Sequence, residues 1–141
     1  MTIPLAEKPF PDIELVLIDL LDPALTATVT ATGAELVPPM IQVERVGGSD
    51  DGITDRPRVR VRAIGANRSQ AWKLARETQA FLTNRATSVL IKGRWTATEW
   101  PGGIQLDSVS TATPPRQIPE EGRTANMVDL IMEIHLRRPW W

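Results

Sequence analysis

The sequence predicts an α+β subunit in which two helices pack on a mainly antiparallel sheet of about four to five strands. Three observations carry that prediction. An apolar segment between Asp12 and Asp22 has helical character, and a second helical stripe runs from Ala71 to Leu82. Two segments, Arg58 to Ala63 and about Thr124 to Arg137, alternate with the period of two that marks a strand.

The first helix opens at Pro11-Asp12 and stops before Pro23, a residue that cannot continue it. Its Ile13, Leu15, Val16, Leu17, Ile18, Leu20 and Leu21 are apolar on more than one side. The spare side faces either more of the same chain or a second subunit. Thr26 to Thr32 suits a strand and ends at Gly33. Pro38-Pro39 turns the chain into Met40 to Val46, where Ile41 and Val43 share a face. Residues 47–57, rich in glycine and aspartate, predict a long flexible loop.

In the next strand Arg58, Arg60 and Arg62 interleave with Val59, Val61 and Ala63, so one face is core and the other a row of guanidinium groups. Asn67 or Ser69 caps the second helix, whose Ala71, Trp72, Leu74, Ala75, Thr78, Phe81 and Leu82 lie across the sheet. A strand is expected within 87–100 and a further one over Ile104 to Thr113. Pro114-Pro115, Pro119 and Gly122 then predict a rigid exposed connection. In the last strand Val128, Leu130, Met132, Ile134 and Leu136 share one face and Asp129, Glu133, His135 and Arg137 the other, the pattern of an interior strand.

With 141 residues and 42% hydrophobic content, the chain has the size of one domain, 1–141, ending in an exposed segment 138–141. It has no cysteine, which removes disulfides, thiolate nucleophiles and cysteine metal cages. No apolar run approaches the roughly 20 residues of a membrane span, and Met1 to Pro11 lacks the pattern of a signal peptide. A soluble chain made in the cytoplasm, with no membrane partner, is expected. The formal net charge of −1 hides a division: residues 1–56 hold ten acids and three bases, residues 57–141 seven acids and thirteen bases. Such a split favours oriented contacts between copies, or pairing within one chain.

The residues argue against catalysis. His135 is the only histidine, so a nucleophilic triad would depend on it alone, and no Gly-x-Ser-x-Gly elbow is present. No cofactor or metal site is expected. Asp50, Asp51 and Asp55 could offer oxygen ligands to a hard cation, but their spacing is not that of an EF-hand loop. The stretch Gly47, Gly48, Ser49, Asp50, Asp51, Asp55, Arg56 reads instead as a loop that orders at a subunit or partner interface. Trp140 and Trp141, at the chain end, belong either to the same kind of surface or to a tail folded back on the sheet. For Arg58, Arg60 and Arg62 two roles stand: cross-strand ion pairs, with Glu44 as a partner, or the lining of a channel that DNA passes through without being read.

Several stretches resemble a known family. They are Pro9-Phe10-Pro11-Asp12-Ile13-Glu14-Leu15-Val16-Leu17, the run from Val43 through Gly47-Gly48-Ser49-Asp50-Asp51-Gly52 to Val59, the helix Ala71-Trp72-Lys73-Leu74-Ala75, and Pro114-Pro115-Arg116-Gln117. Together they are similar to the tail terminator proteins of long-tailed, siphovirus-type phages of actinobacteria. The segment Arg94 to Gly103 is longer than in that pattern.

The resemblance implies a structural virion protein of the tail and neck, assembled in the host cytoplasm. It implies a homo-oligomeric ring, a hexamer, at the head-proximal end of the tail tube. The ring would stop tube polymerisation, contact the major tail tube protein and the head-completion or stopper protein, and leave a lumen for transient, non-specific passage of DNA. The alternatives are another head-tail connector ring, a nucleic-acid-binding module that uses the arginine row, or a small carboxylate-dependent enzyme.

Overall fold

A computed structural model describes residues 10–33, 35–97, 100–119 and 126–137. Helix α1 spans Ile13–Leu21, and the Asp12 side chain caps it by accepting a 3.0 Å hydrogen bond from the Glu14 N–H. Its buried residues, Ile13, Val16, Leu17, Leu20 and Leu21, follow the spacing of one helical face. On the spare side Leu15 and Ile18 are partly buried against the same core, and Asp19 accepts from Trp95 Nε1 at 2.8 Å and pairs with Arg94 at 3.0 Å.

The strands are β1 (Thr28–Ala31), β2 (Met40–Asp50), β3 (Thr54–Gly65), β4 (Ser108–Gln117) and β5 (Asn126–Arg137). They form one five-stranded sheet in the order β1-β2-β3-β5-β4. Only the short β1–β2 pair is parallel; the other three pairs are antiparallel, so the sheet is mixed and the fold is α+β. β5 occupies the interior position that its alternation predicts.

Helix α2 (Arg68–Asn84) begins at Asn67, whose side chain accepts from the Gln70 N–H at 2.8 Å, while Gln70 reaches back to the Ala66 N–H. Gly65 permits the tight entry, since a Cβ there would lie 2.5 Å from the backbone nitrogen of Ala71. Ala71, Leu74, Ala75, Thr78 and Leu82 are buried, and Trp72 and Phe81 pack partly exposed at the margin of the core. Trp72 Nε1 donates to Gln117 Oε1 at 2.8 Å, and Gln79 donates to Thr111, so α2 is tied to β4 as well as packed on the sheet. Both helices share one core with Ile41, Val43, Val59, Val61, Ala63, Val128, Leu130, Met132, Ile134 and Leu136. They therefore cover a single face.

Three expectations are corrected. Residues 47–57 are not a loop: 47–50 end β2, 54–57 begin β3, and only Asp51–Ile53 turn between them. The strand expected in 87–100 does not form among the described residues. A 3-10 turn at Ala86–Ser88 and an isolated bridge between Ile91 and Ile104 hold that segment, which buries Trp95 and Trp100 through turns. Pro114-Pro115 lie inside β4 rather than in a connection beyond it. An edge strand tolerates prolines because the missing N–H can face away from the ladder, and the pairing with β5 shifts register between Thr113 and Arg116.

Candidate functional site

Because both helices sit on one face, alternation carries the even-numbered residues of β3 to the other. Arg58, Arg60 and Arg62 of β3, Gln42 and Glu44 of β2, and Asp129 and Glu133 of β5 occupy this open face. At its far end Met40, Ile64, Ile118 and Met127 close into a small apolar cluster.

The arginine row is paired in part. Arg60 lies opposite Glu44 in register, with a 3.6 Å ion pair, as the cross-strand reading expects. Sequence reasoning missed the main partner. Asp129, 5% exposed, stands between Arg60 and Arg62 at 3.8 Å each and Arg116 of β4 at 3.2 Å. The available signal was an acid on the polar face of the last strand, but its register opposite Arg62 is not in the sequence, and Arg116 comes from a segment read as a connection. Only the Arg116 Nε contact is a hydrogen bond, and the Nε of Arg62 is buried without any acceptor. Arg60, Arg62, Arg116 and Asp129 line an open cleft of about 270 Å³, completed by Gln117, Ile118 and Pro119. Arg58 makes no ion pair among the described residues.

The β2–β3 hairpin forms the opposite end of the sheet. Gly48, at φ +102°, has no room for a side chain, since a Cβ would fall 2.2 Å from the Arg56 carbonyl oxygen. Asp51 organises the turn, accepting from the Thr54 N–H at 2.8 Å and the Ile53 N–H at 2.9 Å while pairing with Arg56 at 3.1 Å. The hydrogen bonds from Thr54 and Ile53, then the contact with Arg56, lower its pKa from 3.8 to about 2. Asp50 is exposed beside it and uses one oxygen to accept from the Gly52 N–H.

Asp55, nominated as an interface residue, is 2% exposed and held by both terminal nitrogens of Arg45 at 2.9 Å. It therefore joins neither Asp50 nor Asp51 as a cation ligand. Among the described residues no group of three or more histidine or acidic side chains is placed to hold a metal. No described helix is long and apolar enough to cross a membrane. Trp140 and Trp141 lie outside the described residues.

The charge division of the sequence is bridged within the chain at Glu44–Arg60 and Asp19–Arg94, whereas Arg45–Asp55 and Arg56–Asp51 both fall inside the acidic part. The arrangement is one of presented charge on a rigid sheet. No curated protein matches the chain. A family model described as phage tail termination protein matches residues 9–140, nearly the whole length. The chain therefore belongs to the phage tail termination protein family and is a structural protein of the bacteriophage tail.

Proposed function

We propose that this protein forms a ring, a hexamer, at the head-proximal end of the tail tube of a long-tailed actinobacterial phage. There it ends polymerisation of the major tail tube protein and presents a platform to the head-completion or stopper protein. Its lumen continues the path of the genome, and assembly takes place in the host cytoplasm. The single observation that carries this reading is the family match over residues 9–140. That match favours a terminator over another connector ring of similar size.

The open face supports the passage role in a limited way. Two of the three row arginines lie against Glu44 and Asp129, and Arg58 alone has no ion-pair partner among the described residues. A surface neutralised in large part lets a polyanion slide without holding it tightly, since affinity for DNA grows with the number of phosphates neutralised. Channel lining is accordingly proposed for Arg58 only.

Negative-stain imaging of particles made without this protein tests the function. Overlong tails detached from heads are expected. Tails of normal length would refute termination.

A further inference from the structure

The cleft and the hairpin turn lie at opposite ends of one sheet and carry opposite charge. From Thr54 to Arg62 along β3 is eight residues, about 26 Å at strand spacing, so a molecule cannot bring its own turn to its own cleft. Counting Glu44, which pairs with Arg60, the cleft sets three guanidinium groups against two carboxylates and keeps one positive charge in excess. Neither Arg60 nor Arg62 makes a hydrogen bond to Asp129, their contacts standing at 3.8 Å. The site therefore has donors to spare for a further oxyanion. Beside them are the apolar Ile118 and Pro119.

The turn offers the matching pair. Asp50 is exposed, with one oxygen uncommitted among the described residues, and Ile53, 53% exposed, stands three residues on. The ordered Asp51 fixes the backbone that carries both. We propose that the Arg60–Arg62–Arg116 cleft of one copy receives the Asp50–Ile53 turn of a second copy, with the Asp50 carboxylate on the guanidinium groups and Ile53 against Ile118 and Pro119. The contact joins two different surfaces, so it is head-to-tail and propagates from copy to copy, as a closed ring requires. It deepens the ring reading and rests on that reading for closure, though not for the contact itself.

Sedimentation velocity on the full chain tests it, with Asp50→Lys as the turn variant and Arg62→Gln/Arg116→Gln as the cleft variant, the latter leaving Arg60 to neutralise Asp129. The wild type is expected to form species larger than a dimer, and each variant alone to associate at least tenfold more weakly. Mixed one to one, the variants retain a single good contact per pair, so dimers form and growth stops there. A monomeric wild type, variants that associate as the wild type does, or a mixture that builds large oligomers would overturn the proposal. So would salt-sensitive binding of a short DNA duplex that the cleft variant loses while its self-association is unchanged, which would make the cleft a phosphate site.

Folding of the variants is bypassed by a cross-link, because the natural chain has no cysteine. Ser49→Cys combined with Pro119→Cys, which leaves Asp50 in place, should give a disulfide ladder between copies under mild oxidation; single-cysteine chains that give the same ladder, or a double variant that gives none, contradict the contact. Tail length in particles lacking the protein reads the function separately, so the contact and the function can fail independently.

Discussion

Leu130 and Asp129 are neighbours on β5, both nearly inaccessible to solvent, yet they are buried for opposite reasons. Leu130 lies on the face that the helices cover, within a core of aliphatic side chains, where burial of apolar area is itself the driving force. Asp129 faces the side that neither α1 nor α2 covers and is buried beneath the arginines that surround it. The same strand thus has one face that stabilises the fold and one that stores charge. The proposed contact between copies uses the second, because charge placed on a rigid sheet sets orientation at little cost to the core.

The largest way to break this contrast lies on the covered face. Leu130→Ala should remove about 2–5 kcal/mol through lost transfer energy and a cavity, read as a lower midpoint in denaturant unfolding. Asp129→Asn should cost less. Removing one partner of a buried ion pair costs about 3–5 kcal/mol, but these guanidinium groups are partly solvated, and about 1–3 kcal/mol is expected. If Asp129→Asn were as damaging as Leu130→Ala, the open face would be part of the stabilising core and the contrast would fail.

The hairpin sharpens the comparison, since it has pairing without a helix lid. Gly48→Ala should cost about 1–3 kcal/mol from the positive φ, with the added clash against Arg56 loosening residues 47–57. Amide hydrogen exchange should then quicken across that hairpin and stay unchanged at Leu130. The smallest effect concerns protons. The Asp51 carboxyl should titrate near pH 2 rather than 3.8, followed by NMR at the Ile53 and Thr54 amides. With a folded pKa below the unfolded one, its contribution to turn order is complete above pH 3.8 and is lost as pH falls through about 2. A midpoint near 3.8 would mean that the turn does not hold the carboxylate.

What the sequence made legible follows the same division. Where one face is aliphatic the period of the pattern identifies the element, and α1, α2, β3 and the interior position of β5 were all readable in that way. Residues 47–57 hid a hairpin because glycine and aspartate composition reports turn chemistry, whereas the strands there are fixed by pairing with each other, by the pairing of β3 with β5 and by the Arg45–Asp55 ion pair. Pro114-Pro115 hid β4, since prolines exclude a central strand but not an edge. Within 87–100, Trp95 and Trp100 are buried from turns, with no period to reveal them. The arginine cleft was half legible. The row itself was visible, but its shared acid and Arg116 arrive from two other strands, and only the register brings them together.

The central claim is that this protein ends tail growth, and tube growth in a purified system tests it most directly. Tubes extending from tail-tip complexes in an excess of major tail tube protein would be measured by electron microscopy with and without the purified protein. The account predicts that added protein halts elongation and appears as a cap at the growing end. Tubes that keep lengthening at the same rate with the protein present would contradict it.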